Sequence, residues 1–157
     1  MIRAVLIAIA LLLAMPAAAA DVSLTIRGEV ERRLTLSLDD LKQMEQTKVR
    51  VRYQTHSGTE AATFSGVLLW NLLEQAQLSD DGEKSSMLRR VVRVEGRDGY
   101  SIVLAAGEIA PDFEGKRVII ALAKNGMPLG DDGLRLVVPG DKRGGRSVRD
   151  VVRIVVR

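Results

Sequence analysis

The sequence predicts an α+β protein in which a mixed, mainly antiparallel β-sheet is accompanied by short helices. Short runs at residues 22–26 and 48–53 alternate between apolar and polar side chains, as strands do. Two segments, beginning at Ser37 and Gly66, change instead to helical spacing. The sequence shows no internal repeat and no shift in composition, so we expect residues 21–157 to form a single domain.

The first half of this domain is expected to contain strands and one capped helix. Residues 22–26 form a strand that Gly28 ends, and residues 33–36 continue in a short extended stretch. Ser37 begins a capping box, followed by Leu38, Leu41 and Met44 on one helix face. Residues 48–53 then place apolar side chains on one face of a strand and three cations on the other.

The second half is expected to begin with a polar loop over residues 55–63 and a helix over residues 66–78. The helix carries an apolar stripe of Leu69, Leu72, Leu73 and Ala76, and residues 79–86 form a surface loop. Residues 90–95 and 100–104 are strands joined by a tight turn that contains an Asp-Gly pair. Further strands are expected at residues 118–123, 134–138 and 151–156, with an Asn-Gly turn at 125–126.

The first twenty residues have the pattern of a cleavable export signal. Arg3 precedes an apolar run over residues 4–15, and Pro16 is followed by four alanines. The run is shorter than the roughly 20 apolar residues that a membrane-spanning helix needs. We therefore expect residues 1–20 to be a signal peptide, the protein to be periplasmic, and no permanent membrane anchor to remain.

Composition excludes several classes of protein. The 157 residues contain no cysteine, which rules out disulfides, thiolate metal ligands, cysteine nucleophiles and acylated lipoprotein anchoring. A single histidine rules out a multi-histidine metal site, so no metal ligands are predicted. A formal net charge of +3 is too small to indicate a nucleic-acid partner. No nucleophile elbow or phosphate-binding glycine loop is present.

One segment combines glycines with hydrogen-bond donors. Residues 139–148 contain three glycines together with Lys142, Arg143, Arg146 and Ser147. Glycines let a ligand approach the backbone closely, and these side chains supply charged and neutral donors. The segment is predicted to bind an anion or a small heteroaromatic ligand, and the alternative is a solvated loop.

Five short segments in order then carry a family resemblance: FSGVLL at 64–69, DGYS at 98–101, KNGMPL at 124–129, LRLVVPG at 134–140 and RSV at 146–148. Together they resemble the molybdopterin-binding domain of the sulfite oxidase family, over nearly all of residues 21–157. The resemblance implies that fold and a pterin-shaped pocket. In the family the pocket is formed by loops that correspond here to residues 54–63 and 141–147.

The sequence departs from this family at the metal. The resemblance implies a cysteine thiolate that holds molybdenum in the first of these loops, but residues 54–58 read QTHSG. We therefore expect a pterin or molybdopterin-like ligand without molybdenum. The expected function is that of a non-catalytic periplasmic pterin-binding protein, a ligand sensor or accessory protein that acts through a partner such as a membrane-bound sensor. The alternatives are a molybdopterin-dependent oxidoreductase, or a subunit of one, and a domain that has kept its fold and binds only protein.

Three further residues are candidates for the pocket. His56 is expected either to hydrogen-bond a pterin or to be a solvated loop residue. Trp70, beside the apolar helix stripe, is expected either to stack on the ligand or to pack at the edge of the core. Tyr100 follows a tight turn and resembles a family position near the pocket, so it is a candidate for stacking.

Overall fold

The computed structural model describes residues 23–79, 82 and 86–157. The predicted signal peptide, residues 1–20, lies outside this range, as does much of the loop expected at 79–86. The strands are β1 (Ser23–Gly28), β2 (Leu34–Ser37), β3 (Thr47–Thr55), β4 (Gly58–Leu68), β5 (Val91–Gly96), β6 (Ser101–Ala105), β7 (Ile119–Lys124), β8 (Met127–Pro128), β9 (Arg135–Val137) and β10 (Val151–Val156). The helices are α1 (Leu38–Gln43), α2 (Leu69–Ala76), α3 (Ser86–Arg89) and α4 (Ala106–Ile109).

The strands form two sheets. The first has the order β2-β1-β10-β5-β6, and the second has the order β3-β4-β7-β8 with β9 also paired to β7. The pair of β1 and β10 is parallel, and the other strand pairs within these sheets are antiparallel. The expected α+β class, with mixed and mainly antiparallel pairing, is therefore confirmed.

The first helix begins as the sequence predicts. The Ser37 hydroxyl accepts a hydrogen bond from the Asp40 N–H at 3.1 Å, and the Asp40 carboxylate accepts one from the Ser37 N–H at 2.8 Å. This reciprocal capping box satisfies amide groups that the first helical turn leaves without partners. Leu41 is fully buried, which fixes the orientation of α1 against the core.

The helix expected over residues 66–78 is shorter at both ends. The structure has Leu69–Ala76 as helix, and Gly66 belongs to β4. A side chain at Gly66 would collide with the backbone of Ile120 on β7, so glycine permits the close pairing of these strands. The predicted apolar stripe is confirmed, because all four of its residues are buried.

The prediction of a polar loop over residues 55–63 is wrong. The turn consists of His56 and Ser57 alone, and β4 pairs with β3 from Gly58 onward. The polar composition of this segment suggested a loop, but its inward positions fit a strand, since Ala62 and Phe64 are buried. A long β-hairpin therefore occupies the place where a polar loop was expected.

Two apolar clusters stabilise this arrangement. The larger one draws buried side chains from both sheets and from α1 and α2. The smaller one, on the second sheet, contains Val49, Val51, Tyr53, Ala62, Phe64, Ile119, Ala121 and Val137. Adjacent residues of β7 contribute to different clusters, so the second sheet is apolar on both faces. In the part of the chain that the structure describes, no helix is long and apolar enough to cross a membrane.

Candidate functional site

An open cleft of about 400 Å³ lies between the tip of the β3–β4 hairpin and the loop of residues 141–147. Its volume is within the range of about 300–1,000 Å³ that is usual for small-ligand sites. The residues that line it come from three separate segments of the chain: Tyr53, Gln54, Thr55, His56, Arg135, Arg143, Gly144, Gly145, Ser147 and Arg149.

The loop of residues 141–147 is fixed to the hairpin through its backbone. The Gln54 N–H donates a hydrogen bond to the Lys142 carbonyl oxygen at 3.0 Å, and Gln54 and Arg143 form a parallel β-bridge. Gly144 packs against the ring of Tyr53, because a Cβ atom there would lie 3.0 Å from Tyr53 Cε2. The glycine therefore lets the loop approach the wall of the hairpin closely.

Arg135, from β9, forms the base of the cleft and is buried. Its Nε donates a hydrogen bond to Ser147 Oγ at 2.8 Å, and its Nη2 donates one to Tyr53 Oη at 2.9 Å. The guanidinium also lies over the Phe64 ring, with Cζ 5.1 Å from the ring centroid. These contacts hold the guanidinium in one orientation at the floor of the cleft.

Glu60 partly balances the buried charge from behind. Its Oε2 lies 3.4 Å from Arg135 Nη2, and its Oε1 lies 2.7 Å from Lys124 Nζ. Burial alone would raise the pKa of Glu60, but the hydrogen bond from Lys124 and the charge of Arg135 outweigh it and hold that pKa below its usual value. Glu60 does not line the cleft, whereas Arg135 does. A ligand in the cleft therefore meets the guanidinium of Arg135 and not the carboxylate of Glu60.

The rim of the cleft is basic. Arg143, Arg149 and His56 are exposed, and among the described residues neither arginine has a carboxylate within ion-pair distance. No aspartate or glutamate occurs among the lining residues. With Arg135 at the floor, three guanidinium groups border one cleft, so its potential favours an anionic ligand.

Arg146 belongs to the same loop but points away from this cleft. Its guanidinium makes a bidentate contact with Asp141, at 2.6 and 2.9 Å, and reaches Glu108 on α4 at 3.2 Å. The hydrogen bond with Asp141, followed by that with Glu108, raises the pKa of Arg146. Arg146 therefore anchors the loop to α4, and the structure does not place it against the cleft.

Glu108 is held in its charged form by this arrangement. Burial alone would raise its pKa, but hydrogen bonds from Arg146 and from the Ala105 N–H, together with the charges of Arg146 and Lys116, lower it. The Lys116 Nζ lies 3.6 Å from Glu108 Oε1. The anchor of the loop is thus a small network of ion pairs rather than one contact.

Tyr100 holds the loop from the opposite side. Its Oη donates a hydrogen bond to the Gly145 carbonyl oxygen at 2.6 Å, and half of the residue remains exposed. Tyr100 does not line the cleft. The structure thus places it as a support of the glycine loop.

Two candidates lie elsewhere. Trp70, on α2, packs against the larger core cluster, and its buried Nε1 has no hydrogen-bond partner among the described residues. Lys142 contributes its carbonyl to the loop anchor, while the residue is exposed and does not line the cleft. Of the seven residues predicted from the sequence, the cleft brings together His56, Arg143 and Ser147.

The sequence reasoning missed Arg135, Tyr53 and Arg149. Arg135 interrupts the otherwise apolar run LRLVV, and a lone charge in such a run indicates a buried partner or ligand. Tyr53 lies on the apolar face of the strand predicted at residues 48–53 and is buried, but its hydroxyl reaches Arg135. Arg149 had no distinguishing pattern, because exposed arginines are common near the last strand of this chain.

The fold and the cleft define a sulfite oxidase-like molybdopterin-binding domain. The model of the oxidoreductase molybdopterin binding domain matches residues 12–157, so the chain belongs to that family. The sulfane dehydrogenase SoxCD from Paracoccus pantotrophus has a similar structure, with a TM-score of 0.70 and 22% identity over 85% of this chain. The chain spans 37% of the length of that SoxCD chain. No curated protein matches it significantly.

The donor atoms of the cleft suit an organic anion better than molybdenum. The hairpin tip supplies amide, hydroxyl and imidazole groups, and the whole sequence has no cysteine to supply a thiolate. Among the residues that the structure describes, no three His, Cys, Asp or Glu side chains are grouped as metal ligands. Guanidinium and hydroxyl donors fit the polar edge of a pterin or a phosphate group.

Proposed function

We propose that this protein binds an anionic pterin, of the molybdopterin type, without molybdenum redox chemistry. One observation carries the proposal: Arg135, Arg143 and Arg149 border a single cleft that no described carboxylate lines. Family membership supports a pterin-type ligand, and the arginines add the preference for a negatively charged one. The absence of cysteine supports binding without a protein-bound molybdenum.

The cleft offers groups that can cover the face of a pterin ring and groups that can bind its polar edge and its anionic group. The exposed guanidinium planes of Arg143 and Arg149 can cover a flat heteroaromatic ring, as arginine does on aromatic faces. Gln54, His56 and Ser147 border the same space and supply edge donors and acceptors. Arg135, already fixed by Tyr53 and Ser147, binds the anionic group with little loss of side-chain freedom.

We further propose that the protein works in the periplasm as a ligand sensor or accessory protein through a partner. The export pattern of residues 1–20 supports this location. The loop of residues 141–147 is attached to both sheets, through Gln54 on one side and Tyr100 on the other. A ligand that binds in the cleft can therefore change the contacts of this loop with the two sheets. A partner protein could detect that change.

Calorimetric titration with pterin-6-carboxylate and with neutral 6-methylpterin tests the proposal. We expect the carboxylate to bind at least about tenfold more tightly, since charge-assisted hydrogen bonds are worth roughly 1.5–3 kcal/mol. Arg149→Ala should remove much of this preference. Arg52→Ala, which removes an exposed charge outside the cleft, is the matched control. Equal affinity for both compounds, or no binding, would refute the proposal.

A molybdopterin-dependent oxidoreductase, or a subunit of one, is the second candidate, and the family match favours it. It requires that molybdenum be held without a thiolate from this chain. Elemental analysis of the purified protein together with pterin fluorescence separates the two candidates. Pterin without stoichiometric molybdenum supports the binding protein, whereas about one molybdenum per chain supports the enzyme.

A further inference from the structure

The strand β3 forms one edge of the second sheet and carries a row of cations. It is the first strand of the order β3-β4-β7-β8, and it pairs with β4 on one side. Lys48, Arg50 and Arg52 occupy alternate positions of β3, so their exposed side chains point to one face of the sheet, about 7 Å apart. Val49 and Val51, which lie between them, are buried on the other face. The edge of β3 therefore presents three positive charges in a single line.

These three charges have no counterion in the part of the chain that the structure describes. No carboxylate lies within ion-pair distance of any of the three side chains. Their register partners on β4 are uncharged: Ser65, Thr63 and Ala61. On the first sheet, by contrast, Arg93 and Arg153 share the carboxylate of Glu95. Unpaired cations in such a row favour an anionic ligand with matching negative charges.

The backbone groups of the same three residues point away from β4. At the end of β3, the Gln54 N–H donates to the Lys142 carbonyl oxygen at 3.0 Å, so the backbone of Gln54 faces the free side of the strand. The register between β3 and β4 has no shift, and an antiparallel ladder alternates. The three cationic residues, at even-numbered positions like Gln54, therefore direct their N–H and C=O groups to the same free side. Among the described residues, nothing donates to or accepts from these groups.

One end of this edge already binds extended chain. Gln54 and Arg143 form a parallel β-bridge, so the loop of residues 141–147 runs beside β3 there. Among the described residues, no further bridge joins this loop to β3. The stretch from Lys48 to Arg52 therefore has the geometry to pair with another strand, and it has no such partner within the described chain.

The charges determine which extended chain can pair with this stretch. Two copies of β3 would oppose cation to cation, because directly opposed side chains lie on the same face of a sheet, and like charges there are destabilising. Charged residues are a usual means by which edge strands avoid self-association. The same charges favour a strand with Asp or Glu at every second position, which places a carboxylate opposite each cation. An anionic lipid surface would use the side chains alone and leave the backbone groups between them unpaired.

We propose that residues 48–52 of β3 are a docking edge for an extended acidic segment of a partner protein. The segment adds to the second sheet as a further strand, and its carboxylates at every second position face Lys48, Arg50 and Arg52. The proposal gives a chemistry to the partner in the proposed function. The contact itself needs no ligand in the cleft, so pterin binding and docking on β3 can each fail without the other.

A synthetic peptide with glutamate at alternate positions, acetyl-TEVEVET-amide carrying a fluorophore, tests the docking edge by fluorescence anisotropy. We expect saturable binding with a Kd below about 1 mM, weakened several-fold when NaCl is raised from about 20 to about 200 mM. Arg50→Glu opposes like charges and should raise the Kd at least about tenfold. Arg27→Glu, an equal change in charge at an exposed site of β1, is the matched control and should leave the Kd nearly unchanged. No binding up to about 1 mM, or equal loss in both variants, would overturn the proposal.

Methylated peptides test strand pairing on the unmodified protein. Two further peptides carry backbone N-methyl groups, one on the glutamates and the other on the valines, and both keep the charges. In a paired strand only one of these sets of amides points to β3. One methylated peptide should therefore bind at least about tenfold more weakly, and the other nearly as well as the unmodified peptide. Equal affinity of all three peptides would show that charge alone acts and would overturn the proposal. Arg50-dependent binding to phosphatidylglycerol vesicles, without binding of the peptide, would overturn it in favour of a membrane contact.

Discussion

The Arg135 guanidinium donates a hydrogen bond to the Tyr53 hydroxyl at 2.9 Å, across the floor of the cleft. Both residues are buried, with 7% and 4% of their surfaces exposed. Tyr53 belongs to the smaller apolar cluster, and its ring packs against Gly144 in the loop of residues 141–147. The contact therefore connects the stability of the second sheet with the shape of the binding site.

Removing the Arg135 guanidinium is expected to lower the stability of the second sheet and to disturb the shape of the binding site. Arg135→Leu leaves Glu60 with Lys124 as its remaining cation and the Tyr53 hydroxyl without this donor. We expect the free energy of unfolding to fall by about 2 kcal/mol, measured by urea denaturation. The double variant with Glu60→Gln should recover part of the loss, because the partly buried carboxylate is then neutral. Equal stability of Arg135→Leu and the unmodified protein would show that the contact contributes nothing.

Substitutions of the adjacent glycines Gly144 and Gly145 are expected to have different effects on ligand affinity. A methyl group at Gly144 would lie 3.0 Å from Tyr53 Cε2, whereas one at Gly145 meets nothing within 4 Å. Gly144→Ala should displace the loop and lower the affinity for pterin-6-carboxylate by about tenfold. Gly145→Ala is the control for packing: its methyl group meets no protein atom, so it should not displace the loop and should lower affinity less than Gly144→Ala does. Similar effects of both variants would indicate that packing on Tyr53 is unimportant.

Arg146 is expected to act by positioning the loop. Arg146→Ala removes the contacts with Asp141 and Glu108, so the backbone amides of residues 141–147 should exchange hydrogen faster. The affinity for pterin-6-carboxylate should fall by about tenfold as a consequence. Lys142→Ala removes an exposed charge from the same loop and should leave amide exchange unchanged. Weaker binding in Arg146→Ala without faster exchange would instead indicate direct contact with the ligand.

The lowered pKa values of Glu60 and Glu108 predict loss of stability in acid. A carboxyl group whose pKa is lower in the folded state contributes stability above its unfolded-state pKa, and this is lost as the pH falls through the folded-state pKa. The free energy of unfolding should therefore decline as the pH falls below about 5. Glu60→Gln and Glu108→Gln should each reduce this slope. Identical pH profiles for the variants and the unmodified protein would exclude both groups as its cause.

The protein is expected to contain no stoichiometric molybdenum when isolated from cells that make the cofactor. The reason is the lack of any thiolate donor in the chain. Mass spectrometry of the native protein and elemental analysis measure the metal directly. A sulfite oxidase-type domain with a cysteine, purified from the same cells, serves as the positive control. About one molybdenum per chain in the present protein would contradict this expectation.

The sequence alone was sufficient for several of the local elements. The capping box at Ser37, the stripe of α2 and the final strand at residues 151–156 follow from patterns within a few residues. The family resemblance likewise depended on short motifs in order, and the family match confirms it. The absence of cysteine, which shapes the proposed function, is also a property of the sequence.

Tertiary structure decided which of the basic residues share one site. Arg143 and Arg146 are three positions apart in one loop, but the first borders the cleft and the second is paired with Asp141 and Glu108. Arg135 and Tyr53 are 82 positions apart and meet at the floor. Local patterns report the backbone conformation, which neighbouring residues determine. The partner of a charged side chain depends instead on long-range packing, and only the folded chain brings these residues together.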